Sequence, residues 1–106
     1  RIAPTSFVTP LGRRISILYN DNQPQISLKL QEMFGQINHP TVAGKPMVVT
    51  LLSPAGSPLQ TTTDLPGFWK TSYSDVRKDM RGRYPKHPWP ENPEEAVPSL
   101  RIKGRK

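Results

Sequence analysis

Five prolines fall within the fourteen residues from Pro85 to Pro98. Proline fixes φ near −65° and has no N–H, so this stretch can neither continue a helix nor sit inside a sheet. The body of the fold must be complete by about Tyr84. The segment Pro85–Pro93 is then expected to lie across it as an extended strap. Trp89 is the one residue there with a large apolar surface to hold it down. The stretch just upstream, DLPGFWKTSYSDVRKDMRGRY (64–84), reads as a helical pair. Asp64 is a candidate N-cap and Pro66 fits a first helical turn. Ser72-Tyr73-Ser74-Asp75 has the form of a capping box opening a second helix, with a break near Thr71. Tyr73, Val76 and Met80, with Tyr84 one turn on, share one face. Phe68, Trp69, Tyr73, Val76 and Met80 are the expected core of this region.

Taken from its start, the chain first suggests a β-hairpin over Thr5–Tyr19. Two β-prone runs, 6–9 and 14–19, flank Pro10-Leu11-Gly12-Arg13, where the glycine can take positive φ. Ile15, Ile17 and Tyr19 alternate onto one face, and Leu18 on the other face implies a cover at that end. Next, Ile26, Leu30, Met33 and Phe34 recur at i, i+4, i+7 and i+8, which predicts an amphipathic helix over 25–34. Gly35 stands at its left-handed cap. Asn38-His39-Pro40 and Ala43-Gly44-Lys45-Pro46 read as loop. Met47–Leu52 is an apolar run short enough for a strand buried on both faces, and a turn at 53–58 returns the chain into a Thr-rich edge strand at Leu59–Thr63. The expected fold is α+β: a small antiparallel sheet built from two hairpins, covered by the 25–34 helix and the 64–84 helical pair, with the strap following. One domain over 1–93 and a polar, basic, mobile tail over 94–106 complete the expectation.

Length matters here because 106 residues allow one domain and one modest core. The chain opens on Arg1 rather than Met, as an excised part of a longer protein would. It has no cysteine, which removes disulfides, thiolate nucleophiles and sulfur-ligated zinc and suits a cytoplasmic protein. No apolar run reaches the roughly 20 residues of a membrane helix. Net charge is +7 and the isoelectric point is near 10.2. A balance of that size favours phosphate-rich partners, or an acidic protein neighbour.

Catalytic patterns are missing. The chain lacks a G-x-x-x-x-G-K-[ST] phosphate loop, a G-x-G-x-x-G fingerprint and a G-x-S-x-G elbow. Its two histidines, His39 and His87, lie in separate loops and each precedes a proline. His39 reads as a loop residue and His87 as a member of the strap. Asp75 and Asp79 sit one helical turn apart among cations, as intrahelical ion-pair partners rather than an acid–base pair. The feature with binding chemistry is the run Arg77, Lys78, Arg81, Arg83 and Lys86, interleaved with Tyr84 and Trp89. Cations neutralise phosphates, and exposed aromatics stack on unpaired bases. The same aromatics could equally pin the strap to the body, with the cations as a solvated face. No catalytic, cofactor or metal residue is expected.

The segments DLPGFW (64–69) and SYSDVRKDMRGRYPKHPWPENP (72–93) resemble the terminal signature of the bacterial HrpB-type DEAH-box ATP-dependent helicases. LKLQEMFG (28–35), VAGKP (42–46), LLSPAGSPLQ (51–60) and the hairpin bearing Gly12-Arg13-Arg14-Ile15 agree, so the resemblance covers nearly the whole chain up to Val97. It implies a C-terminal domain beyond two RecA-like domains that carry the Walker A loop and the D-E-x-H box. ATP and Mg2+ would belong to that core, since none of those motif residues is present here. It further implies a non-catalytic accessory role, with RNA or another single-stranded nucleic acid and the helicase core as partners. A domain that docks on the core or another protein without touching nucleic acid is the alternative.

Overall fold

The computed structural model describes residues 5–21 and 23–98. The chain forms β1 (Ser6–Val8), β2 (Arg14–Ser16), β3 (Leu18–Asn20), β4 (Gln23–Lys29), β5 (Thr41–Val42), β6 (Lys45–Pro46), β7 (Val48–Leu52) and β8 (Pro58–Thr62), then α1 (Leu65–Lys70) and α2 (Tyr73–Arg83). The α+β class holds. Its centre is a four-stranded sheet in the order β3-β4-β7-β8, in which β4 and β7 run parallel and the outer pairs run antiparallel. The sheet is therefore mixed rather than purely antiparallel.

The 25–34 helix does not form. Gln23–Lys29 is instead the longest strand, and only Leu30–Met33 closes into a 3₁₀ turn. The reason is visible in Leu28, which the helical stripe leaves out. Pro24, Ile26, Leu28 and Leu30 alternate inward at period two, and Leu28 is as buried as its neighbours. The spacing Ile26–Leu30 satisfies both periods, but only a strand buries all four. As an interior strand, β4 gains ladders on both sides, with Ile26 beside Val49 and Leu28 beside Leu51 on the inner face. Pro24 sits just before the first β4–β7 partner, Gln25, where its missing N–H costs no parallel ladder bond.

The hairpin at 47–63 forms as β7–β8, with Pro58 opening the edge strand. Strand β7 is buried on one face and half-covered on the other, not buried on both. On that outer face Thr50 and Thr61 join hydroxyls at 3.1 Å. The first hairpin pairs β1 with β2 around Gly12 (φ +85°), but the run 14–19 breaks at buried Ile17. Beyond that point β3 leaves for the main sheet, so the two hairpins do not share one sheet. Leu18 stays 66% exposed, and nothing among the described residues covers it. A two-residue hairpin, β5–β6, takes in the expected loop at 43–46, turning through positive φ at Ala43 and Gly44.

Among the described residues, fifteen buried hydrophobic side chains form one cluster, drawn from the inner sheet face with Ile17 and Met47, the 30–34 segment, both helices and Trp89. Four aromatics knot it together. Tyr73 lies edge-on to Phe34, Phe68 and Trp69 at centroid distances of 6.3, 6.2 and 5.5 Å. Such pairs add about 0.5–1.5 kcal/mol each beyond their burial. Asp64 caps α1 as expected, its Oδ1 accepting from the Gly67 N–H at 3.1 Å, and α1 ends at Thr71. The capping box of α2 is not made. Ser72 has helical dihedrals and its hydroxyl accepts from Gln60 Nε2 at 3.5 Å. His39 is more than a loop residue: its Nδ1 accepts the Leu65 N–H and its Nε2 donates to the Met47 carbonyl. One ring thus ties the start of α1 to the entry of β7, and these contacts require the neutral Nε2–H tautomer.

Residues 94–98, expected in a mobile tail, continue the fold. Pro93–Glu95 makes a 3₁₀ turn, and Glu94 pairs with Lys70 at 3.1 Å. Gly35 (φ +83°) donates its N–H to the Pro93 carbonyl, and a Cβ there would stand 2.7 Å from the Ala96 oxygen. The rest of the basic tail, 99–106, lies outside the described residues. No helix among the described residues is long and apolar enough to cross a membrane.

The β1–β2 turn is anchored by a fork-shaped ion pair. Arg13 Nε and Nη2 donate to Glu32 Oε1 and Oε2 at 3.1 and 2.8 Å, and the Glu32 carboxylate is fully buried. The bond to Glu32 raises the pKa of Arg13, so the guanidinium stays charged. Removing it strands a buried carboxylate. Arg13→Met should therefore cost about 2–4 kcal/mol in urea unfolding, while Arg13→Met with Glu32→Leu should recover most of that loss. A cost below about 1 kcal/mol for Arg13→Met would show that the pair does not anchor the turn.

Candidate nucleic-acid interface

Helix α2 carries four of the five cations, and 100° per residue divides them. Arg77, Arg81 and Lys78 lie within about a third of the circumference, flanking the buried line of Tyr73 and Met80. Arg83 falls on the far side next to Asp79, with which it makes an exposed i, i+4 pair at 3.8 Å. Such a pair contributes little to stability. Lys78, Arg81 and Lys86 are exposed and make no ion pair among the described residues. Asp75 sits in the first turn of α2, where its charge complements the helix dipole.

Arg77 is different because the strap uses it. Its Nε donates to the Trp89 carbonyl at 2.6 Å, and its Nη2 lies 3.9 Å from a carboxylate oxygen of Glu91. Three of the strap's proline carbonyls are met in the same way. Tyr73 donates its hydroxyl to the Pro90 carbonyl at 2.7 Å, Gln31 reaches the Pro88 carbonyl at 3.4 Å, and the Gly35 N–H takes Pro93. A proline-rich segment outside any ladder still has carbonyls to satisfy, and here donors from the body supply what a neighbouring strand would. Gln31, Tyr73 and Gly35 are the contributors that sequence reasoning missed. The signal was present in the prolines themselves: a strap that cannot pair with a strand needs donors from elsewhere.

Trp89 is 6% exposed, and its indole N–H donates to the Tyr84 carbonyl at 2.9 Å. It packs in the core cluster, which pins the strap and leaves its ring face unavailable to a base in this conformation. Tyr84 is half-buried, with His87 edge-on at 6.1 Å. A recess of about 220 Å³ opens between Arg77, Arg81, Pro85 and Trp89. This side of α2 brings together two guanidiniums one turn apart and a lysine alongside, at a recess bordered by Pro85 and Trp89. Among the described residues no three His, Cys, Asp or Glu side chains cluster so as to hold a metal ion.

The comparisons with known proteins bear on the whole chain. Residues 1–93 match the family model described as ATP-dependent helicase C-terminal, HrpB_C. The chain is 50% identical over 103 residues to the ATP-dependent RNA helicase HrpB of Escherichia coli strain K12, covering 94% of this chain and 13% of that protein. A crystal structure of the E. coli DExH-box NTPase HrpB superposes with a TM-score of 0.86 at 49% identity, over 90% of this chain and 12% of the other. A second crystal structure, of the E. coli DEAH/RHA helicase HrpB, gives 0.60 at 47% identity over 81% and 11%. The chain thus spans about an eighth of the length of these relatives.

Two outcomes test this geometry. Burial holds the Tyr73 phenol well above the ordinary tyrosine range, outweighing the opposite pull of Arg77. A folded pKa above the unfolded one means stability is intact below about pH 10 and falls as pH rises beyond it. Urea unfolding should show that alkaline loss, and Tyr73→Phe should remove it while costing about 1 kcal/mol at neutral pH for the bond to Pro90. Gly82, in the exposed last turns of α2, has open space where a Cβ would stand. Gly82→Ala should accordingly raise stability by about 0.5–1 kcal/mol, and a loss instead would mean the helix is constrained there by something the fold does not show.

Proposed function

The chain belongs to the HrpB family of ATP-dependent helicase C-terminal domains, and from that membership we propose that it acts as the accessory, non-catalytic domain of such a helicase, offering a basic surface to RNA. ATP and Mg2+ binding are assigned to the parent's motor core, because this sequence carries neither a Walker A loop nor a D-E-x-H box. A cytoplasmic setting accompanies that assignment. The observation that carries the reading is that Lys78 and Arg81 stand exposed on the same side of α2 with no acidic side chain among the described residues paired to them. Unpaired cations on a rigid helix are what a phosphate backbone recognises, whatever the base sequence.

The surface differs in detail from the seven residues first singled out. Lys78, Arg81 and Lys86 are the free cations, Arg83 contributes from the opposite side, and Tyr84 is half-buried against the core beside His87. Arg77 and Trp89 serve the surface by holding the strap in place. A second reading has its own support. Val8 and Ile37 are 56% and 61% exposed, near a groove of about 330 Å³ lined in part by Phe7, Val8, Pro10 and Met33. This apolar end suits docking on the remainder of the helicase.

Binding of single-stranded RNA to this chain should weaken with salt, by a log–log slope of about −0.7 per phosphate contacted. Lys78→Ala with Arg81→Ala should reduce the affinity uniformly across sequences and flatten that slope by about 1.4. Binding that ignores salt, or no binding at low salt, would sink the nucleic-acid role and leave docking as the function.

A further inference from the structure

We propose that the recess between Arg77, Arg81, Pro85 and Trp89 is a seat for a single phosphate group of a bound nucleic-acid strand. This rests on the nucleic-acid reading above and narrows it from a charged face to one site. Three observations converge on it. The recess, at about 220 Å³, has room for a phosphate group. Its first guanidinium is already oriented: Arg77 spends its Nε on the Trp89 carbonyl, which leaves the Nη groups to donate elsewhere. The second guanidinium, Arg81, is one helical turn away and exposed, without an ion pair among the described residues.

The geometry favours a phosphate over a carboxylate. A carboxylate is planar and saturates one fork, whereas the oxygens of a phosphate point in several directions and accept from two forks together. Pro85 and the strap, anchored at the Trp89 carbonyl, border the recess beside the two guanidiniums. Glu91 is the resident counter-ion, 3.9 Å from Arg77 Nη2, beyond hydrogen-bond reach, and its side chain is 82% exposed. An incoming phosphate displaces a loosely held carboxylate rather than a buried partner, so Glu91 opposes binding. The seat exists only while the strap is docked, because the strap both orients Arg77 and provides Trp89.

The test follows the indole N–H resonance of Trp89 in the nitrogen-labelled chain, assigned with Trp69→Phe, during titration with short single-stranded RNA. Strands with a 5′-phosphate and with a 5′-hydroxyl are compared, alongside inorganic phosphate and an acidic peptide. RNA should shift the Trp89 resonance. Arg81→Gln should weaken RNA binding about fivefold, the upper range for an exposed charge pair, and flatten the salt slope by about 0.7. Glu91→Gln should tighten binding, a gain that a purely structural role for this corner does not produce. A shift seen only with the 5′-phosphorylated strand identifies a terminal phosphate as the occupant, and equal shifts identify a backbone phosphate. RNA binding that leaves Trp89 and Arg81→Gln unaffected overturns the seat but not the basic surface. A response to inorganic phosphate or the peptide with no RNA binding overturns both.

Discussion

Tyr73 is the residue on which the rest of the molecule turns. Its ring stands at the centre of the aromatic knot that joins the 3₁₀ segment, α1 and α2, in edge-on contact with Phe34, Phe68 and Trp69. Its hydroxyl leaves that knot to hold the Pro90 carbonyl of the strap. One side chain therefore satisfies two demands that usually fall to separate residues. It fills the core with a large apolar ring and meets a backbone acceptor that proline chemistry has left without a strand partner. The strap in turn brings Trp89 into the same core.

From that arrangement comes the division of the basic cluster. Arg77 and Trp89 lie twelve residues apart and meet because the strap folds back along α2. Once they meet, they become the walls of a recess rather than independent binding groups. Arg81 borders the same recess with its side chain exposed, Lys78 stands alongside, and Arg83 is carried away by helical geometry. A surface that looks in the sequence like one continuous run of charge is thus a structural arginine, a small exposed group and an isolated ion pair with Asp79.

Much of the fold was legible beforehand, for reasons that can be named. The Asp64 cap, the break at Thr71 and the buried Tyr73–Met80 line follow from local capping and helical period, which operate within a few residues. The β7–β8 hairpin and the positive φ of Gly12 follow from turn chemistry, while Gly35 takes positive φ although the 25–34 helix it was expected to cap does not form. Strand β4 was misread because Ile26, Leu30, Met33 and Phe34 fit a helix, and because its stabilising partner, β7, lies a crossover away. A parallel ladder leaves no local mark, and a seven-residue strand followed at once by a 3₁₀ turn gives a mixed period. The Ser72 box is not made because Ser72 itself takes helical dihedrals instead of the extended ones a cap needs.

The sequence by itself determined that a proline-braced segment must follow the helical pair as a strap, that aromatic residues of 68–73 must be core, and that the family is the HrpB helicase C-terminal domain. Those conclusions rest on properties of single residues and short patterns: a missing N–H, a helical period, a long unusual motif. Tertiary structure decided which cations are free, that Trp89 is a buried pin, and that Glu32 is neutralised by Arg13 across the chain. It also decided that His39 bridges Met47 and Leu65. Each of these depends on a donor and acceptor brought together from distant positions, and hydrogen-bond partners at long range are set by packing, not by the residues that flank them.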